Sequence, residues 1–266
     1  MDNLEEYFKG EKLYGDDFSI EQIIEWYKDE EYAYFNLYGK NEHRNYPYHL
    51  LNYEYGFRYL PNKVFNNVLS LGGAYADELE PIRNRISRIT VLDAAADKYA
   101  EINKDPSISY IKANPTGELP FPDNYFDLVT CFGVLHHIPN VSKVMKEIYR
   151  CTMRGGYVII REPIVSMGDW RKERKGLTKR ERGIPLKIFR KIISDSGLEV
   201  ISEKKCAFSL TNRLQYFIKK PIYNSKIGLL LDRFFCMLFT WNNRYHTTNF
   251  FLKLRPTSVS YVLIKR

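Results

Sequence analysis

Short apolar runs alternate with helix-patterned segments along the middle of the chain. The runs are long enough for buried strands and cover residues 67–73, 88–94, 108–113, 126–133 and 155–163. Between them, apolar residues recur every three or four positions, as in residues 141–153. Strands that alternate with helices predict an α/β fold with a parallel sheet and helices on both faces. In such sheets ligands bind beyond the carboxyl ends of the strands, where the strand order reverses.

The two ends of the chain lack this alternation and predict additions to the sheet. Residues 1–61 indicate an N-terminal helical cap, in which Ser19 begins a helix. The sheet core is then predicted over residues 62–206, a helical insertion over 207–250 and a final strand over 251–266. Inside the insertion, the apolar stretch 227–241 is too short to span a bilayer and favours a core helix. The alternative is that it seats the protein on anionic lipid together with the basic segment.

Charge is segregated along the chain, whose net charge is +8. Residues 1–31 hold eleven acids against three bases, and residues 171–191 hold ten bases against two acids. The basic segment indicates contact with nucleic acid, anionic lipid or a phosphorylated small substrate, or else a solvated face that docks against the acidic N-terminus. Because no known nucleic-acid module accompanies it, we expect no nucleic-acid partner.

Composition narrows the class of protein further. With 44% hydrophobic and 27% charged residues, the chain is typical of globular domains. Its four cysteines form no CxxC pair, which argues against a zinc site and a disulfide framework. The opening MDNLEEYF is not a basic-then-apolar leader, so we expect a cytoplasmic protein, as a monomer or homodimer.

A glycine turn, VLSLGGAYADE at residues 68–78, follows the first predicted strand. Gly72 and Gly73 allow a ligand to approach the backbone closely, but neither GxGxxG nor GxxxxGK[ST] is present. An ordinary strand, turn and helix explain the turn about as well. Asp93 strengthens the nucleotide interpretation, since it ends the next strand about 20 residues on, where a carboxylate can bind ribose hydroxyls.

A series of motifs over residues 113–163 is more specific. Asn114, the stretch LPFPDNYFD, LHHI at residues 135–138 and RGG at 154–156 occur in order with family-like offsets. The segment strongly resembles class I S-adenosylmethionine (SAM)-dependent methyltransferases of the small-molecule branch, similar to methyltransferase type 11. The resemblance covers roughly residues 65–205. It implies a Rossmann-like seven-stranded methyltransferase sheet with SAM as cofactor and no metal.

The resemblance also implies which residues hold the cofactor. They are Gly72, Gly73 and Ala74 against the methionine portion, Asp93 at the ribose with Ala94 beside it, Asn114 at the adenine, and Phe132 and Gly133 along the cofactor. Ser70 stands where the family has an acid, and Ala74 and Ala76 replace two loop glycines. These departures predict altered SAM affinity, and they leave open an inactive protein that keeps the fold as a partner subunit.

Two residues near strand ends form the predicted catalytic pair, His136 and Glu162. A similar pair in sugar-directed O-methyltransferases of the family serves as a base that removes a hydroxyl proton. Three alternatives remain, namely His137 as the base, methylation by proximity alone, and an ion pair in which Arg161 engages Glu162.

The remaining site residues are assigned to the acceptor. They are His137 and Arg161, Trp170 as a stacking platform for a sugar ring, and Arg171, Arg174 and Arg182 as phosphate ligands. The expected reaction is O-methylation of a sugar hydroxyl of a surface glycan or nucleotide-sugar precursor. The alternative is methylation of a lipid or quinone by a protein in peripheral contact with the inner face of the membrane.

Overall fold

A seven-stranded sheet organises the protein in the computed structural model, which describes residues 4–39, 46–170, 172–218 and 221–266. The strands are β1 (Phe65–Leu71), β2 (Ile86–Asp93), β3 (Ile108–Lys112), β4 (Phe126–Phe132), β5 (Thr152–Pro163), β6 (Glu199–Phe208) and β7 (Pro256–Ile264). Their order is β3-β2-β1-β4-β5-β7-β6, and β7 runs antiparallel to both of its neighbours. The predicted Rossmann-like seven-stranded sheet is confirmed. Its strand order reverses between β1 and β4, which places a ligand crevice there.

Helices cover both faces of the sheet. They are α1 (Glu5–Lys9), α2 (Ile20–Glu30), α3 (His49–Tyr55), α4 (Ala96–Ile102), α5 (Val141–Cys151), α6 (Leu186–Ser196), α7 (Ser209–Ile218) and α8 (Lys226–Leu238). In α5 the buried residues recur at helical spacing, and they pack into the larger apolar core with β4 and β5. A second core lies on the opposite face, beneath the 3-10 helix Asp77–Arg85.

Local sequence signals set several element boundaries. Ser19 and Gln22 form a capping box at the start of α2, with Ser19 N–H donating to Gln22 Oε1 at 2.9 Å. Gly197 ends α6 at φ 89°, a left-handed conformation that glycine adopts without strain. Pro81 lies inside the helix that follows the glycine turn, and this segment is a 3-10 helix rather than an α-helix.

The acidic N-terminus docks against the basic segment. Arg180 pairs with Asp29 at 2.7 Å and Glu25 at 2.9 Å, and Lys179 pairs with Asp29 at 2.8 Å. These contacts support the docking interpretation of the basic segment. The segment therefore fixes α2 over the carboxyl ends of the strands, where the ligand crevice lies.

The predicted core helix at residues 227–241 is wrong. In α8 the side chains of Ile227 and Met237 are 72% and 68% exposed, and Trp241 beyond it is 68% exposed. The segment is helical, but α8 packs on the sheet through the side that carries Leu229, Asp232 and Cys236. Among the described residues, no helix is both long and apolar enough to cross a membrane.

Candidate active site

One cavity of about 840 Å³ lies at the carboxyl ends of β1, β2 and β4, with α2 above it. It brings together all of the cofactor residues predicted from the sequence, namely Gly72, Gly73, Ala74, Asp93, Ala94, Asn114, Phe132 and Gly133. His136, His137 and Arg161 line the same cavity. Residues from five separate segments of the chain thus meet at the switch point of the sheet.

The glycine turn leaves its backbone open toward the cavity. A Cβ on Gly72 would collide with a Val134 methyl, and a Cβ on Gly73 would collide with the Ser70 hydroxyl. Side chains are therefore excluded from both positions. Ala74 and Ala76 adopt φ of 50° and 61°, which is a strained region for alanine. The turn keeps the backbone path of a glycine loop and bears this strain.

Glu78 is a buried cavity residue that was not among the site residues predicted from the sequence. Its carboxyl accepts a short hydrogen bond from the Ser70 hydroxyl, and Thr130 Oγ1 lies 3.4 Å from the same oxygen. The side chain lines the cavity and forms no ion pair with any residue in the described part of the chain. Burial raises the pKa of Glu78 to about 7. An acid thus lies beside Ser70, at the position where the resemblance had indicated that one was missing.

Asp93 and Asn114 have geometry suited to an adenosyl group. Asp93 Oδ1 accepts a hydrogen bond from Ala95 N–H at 2.9 Å, which aims the carboxylate across the end of β2. Asn114 Oδ1 accepts from the N–H and hydroxyl of Thr116, at 2.9 and 3.0 Å, so the side chain is held in a tight turn. Bare backbone, a buried acid and two polar strand ends together fit an adenosyl amino acid.

His136 and Glu162 are paired as predicted. Nδ1 of His136 lies 2.8 Å from Glu162 Oε2. Glu162 also accepts hydrogen bonds from the backbone N–H groups of Val134 and Leu135, at 2.8 and 2.9 Å. Burial opposes ionisation of Glu162, but the hydrogen bonds from His136 and the backbone hold its pKa below the usual value. The carboxylate therefore fixes both the imidazole and the loop that carries it.

A second carboxylate, which the sequence did not predict, contacts the other ring nitrogen of His136. Nε2 lies 3.3 Å from Oε1 of Glu181, in the basic segment. Burial favours neutral imidazole, but the hydrogen bonds to Glu162 and Glu181 outweigh it and raise the pKa of His136 to about 9. The same contact helps to lower the pKa of Glu181 to about 2, against the effect of its burial. At neutral pH the group is a carboxylate–imidazolium–carboxylate chain.

His137 has a different carboxylate partner from His136. Its Nδ1 lies 2.9 Å from Glu30 Oε2 in α2 and 3.2 Å from Thr178 Oγ1. Ligand atoms of His136, His137 and Glu181 lie within 4.8 Å of one another, the spacing of a cation site. The carboxylate partners of both histidines account for this grouping without a metal ion.

Arg161 faces away from Glu162, because successive residues of β5 point to opposite sides of the sheet. Its Nε donates to Asn52 Oδ1 at 3.0 Å, and its guanidinium lies 4.1 Å from the ring centroid of Tyr48. It is buried and forms no ion pair with the residues that the structure describes. The cavity therefore contains a buried cation with neutral partners.

The other acceptor residues lie outside the cavity lining. Arg182 is fully buried and donates to the carbonyls of Tyr14, Leu135, Ile138 and Pro139 at 2.8–3.2 Å. Arg174 likewise donates to carbonyls, including Thr178 O at 2.9 Å. Trp170 stacks on Phe8 and Tyr14 with ring centroids 4.4 and 5.1 Å away. Arg174, Arg182 and Trp170 thus make contacts within the protein, and the prediction that they contact a phosphate or a sugar is wrong for this structure. Arg171 lies outside the described residues.

Comparison with known proteins assigns the core. Residues 69–160 match the family model described as a methyltransferase domain. Residues 69–160 are a class I SAM-dependent methyltransferase domain. The methyltransferase domain is 28% identical over 109 residues to the ubiquinone/menaquinone biosynthesis C-methyltransferase UbiE of Vibrio cholerae, and 30% over 105 residues to UbiE of Psychromonas ingrahamii. Each match covers 36% of this chain and 40–41% of the relative, so the chain spans about two fifths of these relatives.

Solved structures show the same fold around the methyltransferase domain. A phosphoethanolamine N-methyltransferase 2 of Haemonchus contortus, in complex with S-adenosyl-L-methionine, has a TM-score of 0.56 at 17% identity, over 93% of this chain and 60% of that chain. The cyclase SpnF has a TM-score of 0.55 at 14% identity, over 93% and 97% of the two chains. Proteins with different names therefore share this fold, so the fold by itself does not identify the acceptor.

Proposed function

We propose that this protein transfers a methyl group from SAM to a hydroxyl of a small polar acceptor, a sugar of a surface glycan or nucleotide-sugar precursor. One observation carries this function. His136, oriented by Glu162, lines the same cavity as the glycine turn and Asp93. A sugar hydroxyl is a weak nucleophile until its proton is being removed, so an oriented histidine suits O-methylation. SAM supplies the electrophilic methyl group when bound.

The residues that hold SAM are those that the resemblance implied, with Glu78 added. The Asp93 carboxylate would accept hydrogen bonds from the ribose hydroxyls, and the backbone of Gly72 and Gly73 would lie against the methionine portion. Among the residues that the structure describes, the buried Glu78 has no cationic partner, so a ligand ammonium would satisfy it. It takes the role of the acid that is absent at Ser70.

Proton removal by His136 requires the neutral imidazole. Nε2 must lose its proton and its contact with Glu181 before it can accept a hydroxyl proton, whereas Nδ1 keeps donating to Glu162. Glu162 stabilises the charged imidazole formed as the proton arrives. Glu181 thus holds the resting histidine in its charged state.

We expect the acceptor to bind in the part of the cavity that lies under α2. Trp26, Tyr27, Glu30 and Tyr34 line this side of the cavity, a mixture of aromatic and hydrogen-bonding side chains that suits a sugar. Arg161 supplies a cation for a phosphate or other anionic group on the acceptor. It replaces Arg174 and Arg182 in that role, since those two bind backbone carbonyls.

Calorimetric titration with S-adenosylhomocysteine and SAM tests the cofactor, and a panel of nucleotide sugars tests the acceptor. His136→Ala should reduce methyl transfer at least tenfold while S-adenosylhomocysteine affinity stays within about twofold, since general-base help contributes about 10²–10⁴ in rate. Lys175→Ala, at an exposed residue of the basic segment outside the cavity lining, is the control and should retain activity, and His137→Ala tests the alternative base. No binding at millimolar cofactor would indicate the inactive partner protein, and loss of activity only in the His137 variant would move the base to that residue.

A second candidate is methylation of a lipid or quinone at the inner face of the membrane. The exposed apolar side chains of α8 favour it, and so do the curated relatives, which are named for ubiquinone and menaquinone biosynthesis. Transfer to quinone precursors in vesicles, with none to sugars, would select this candidate.

A further inference from the structure

Helices α7 and α8 and the segment that follows them expose large apolar side chains. The most exposed are Phe217 (77%), Ile227 (72%), Leu230 (62%), Met237 (68%), Trp241 (68%) and Phe251 (75%). Single exposed apolar residues are normal on protein surfaces, but six of this size within 35 residues are not. We call this surface the apolar face.

The orientation of α8 is fixed by its other side. Asp232 is buried and accepts hydrogen bonds from the backbone N–H groups of Ala207 and Phe208, at 3.0 and 2.7 Å. Leu229 and Cys236, one turn away on either side, are buried with it. Rotating α8 about its axis to bury Ile227 and Leu230 would break the two hydrogen bonds and expose the side of the helix that carries the Asp232 carboxylate. The outward position of its apolar residues therefore belongs to the folded state.

The three segments of the apolar face adjoin one another. Helices α7 and α8 are in contact. The guanidinium of Arg213 in α7 lies 6.0 Å from the ring centroid of Phe250, next to Phe251. Along α8, Ile227, Leu230 and Met237 follow helical spacing and share one side. The surface is thus a single patch rather than scattered residues.

Charge identifies what covers the apolar face. Residues 207–253 contain seven lysines and arginines and one acid, Asp232, whose carboxylate is buried. A second copy of the chain docked on this face would bring like charges together. A surface of anionic phospholipid matches both features, because bases lie at its headgroups while apolar side chains enter the acyl boundary.

We propose that the apolar face seats the protein on an anionic phospholipid membrane, with α7 and α8 lying in the interface. This goes beyond the proposed reaction and holds for either acceptor. Asn212, at the start of α7, lines the catalytic cavity. The cavity therefore adjoins the membrane-facing side, and an acceptor attached to a lipid would reach it without leaving the bilayer.

Vesicle co-sedimentation of the full chain tests this placement. Binding is expected to vesicles of phosphatidylcholine with about one third phosphatidylglycerol, to be weaker at high salt, and to be weak on phosphatidylcholine alone. The emission of Trp241 should shift to the blue on binding, as an exposed indole enters an apolar phase. Equal binding to both vesicle types, or none to either, would overturn the proposal.

Matched variants distinguish vesicle binding through the apolar face from nonspecific adsorption of the protein. Leu230→Gln/Met237→Gln should weaken vesicle binding about tenfold or more. Ile20→Gln/Val64→Gln removes two residues of 55% and 56% exposure elsewhere and should leave it unchanged. Lys226→Gln/Arg244→Gln should lose the preference for anionic lipid. Sedimentation showing a dimer that only the first pair dissociates, without vesicle binding, would assign the face to a second copy. The cofactor affinity of each variant is measured in parallel, and it does not depend on whether the apolar face binds a membrane.

Discussion

Nε2 of His136 lies 3.3 Å from Oε1 of Glu181, while Nδ1 of the same ring lies 2.8 Å from Oε2 of Glu162. The ring of His137 lies 4.1 Å away, with Glu30 as its own carboxylate partner. The proposed base is therefore held charged by two buried carboxylates. Its surroundings set the pH at which it can act.

Glu181→Gln should shift the pH–rate profile to lower pH. In the wild type the pKa of His136 is about 9, so turnover should rise with pH toward that value. Removing one of the two carboxylates lowers the pKa and frees the neutral base nearer pH 7. Methyl-transfer rates between pH 6 and 10 measure the shift. An unchanged profile in the variant would show that His136 is not the titrating base.

The same pKa predicts a pH dependence of stability. A folded pKa above the unfolded value near 6.5 means that the charged His136 stabilises the fold fully below that pH. This contribution is lost as pH rises through about 9. Urea unfolding at pH 6 and pH 9.5 should show a smaller decline in His136→Phe than in the wild type. Equal declines would contradict it.

Glu78→Gln should stabilise the free protein yet weaken cofactor binding. Burial raises the pKa of Glu78 to about 7, so above that pH the fold contains a destabilised carboxylate; Asp77 adds to the shift, whereas Ser70 and Thr130 oppose it. Removing the ionisable group should raise the free energy of unfolding at pH 8 by about 1–3 kcal/mol. S-adenosylhomocysteine should bind at least tenfold more weakly, since a charge-assisted hydrogen bond is lost.

A desamino analogue of S-adenosylhomocysteine provides the control for Glu78. It lacks the ammonium, so wild type and Glu78→Gln should bind it equally. If the variant loses affinity for both ligands alike, Glu78 shapes the turn and does not contact the ammonium.

Ala74→Gly should stabilise the protein. Ala74 has φ 50°, where an alanine Cβ is strained by about 1–2 kcal/mol, and glycine removes that strain at a smaller entropic cost. We expect a gain of about 0.5–1 kcal/mol in urea unfolding. Ala95→Gly is the matched control, because Ala95 has φ −99° and should lose stability. A loss in both variants would mean that the turn relaxes without strain.

Arg182→Ala should destabilise the fold rather than weaken acceptor binding. Arg182 is fully buried and donates to four carbonyls. Those of Leu135 and Pro139 keep a backbone N–H donor, whereas those of Tyr14 and Ile138 lose the Arg182 donor, and the loss should cost about 3–5 kcal/mol. Lys175→Ala, at an exposed base of the same segment, should leave the melting temperature unchanged. A raised KM for a phosphorylated acceptor at unchanged melting temperature would restore the phosphate role to Arg182.

The sequence alone determined the sheet and several of the residues that meet at its carboxyl edge. Alternating apolar runs and helical spacing are local properties, so β1 to β5 and α5 could be placed from them. The motif offsets then aligned Gly72, Asp93, Asn114 and Gly133, because parallel strands end at one edge of the sheet.

Only the tertiary structure decided which charges meet. Glu78, Glu181 and Arg161 contact residues that are distant in sequence, or their contacts depend on the side of a strand to which they point. The spacing of residues along the chain does not predict such contacts. The direction of α8 is a similar case. Its apolar period was plain in residues 227–241, but a period does not say which side packs. The buried hydrogen bonds of Asp232 turned the apolar residues outward.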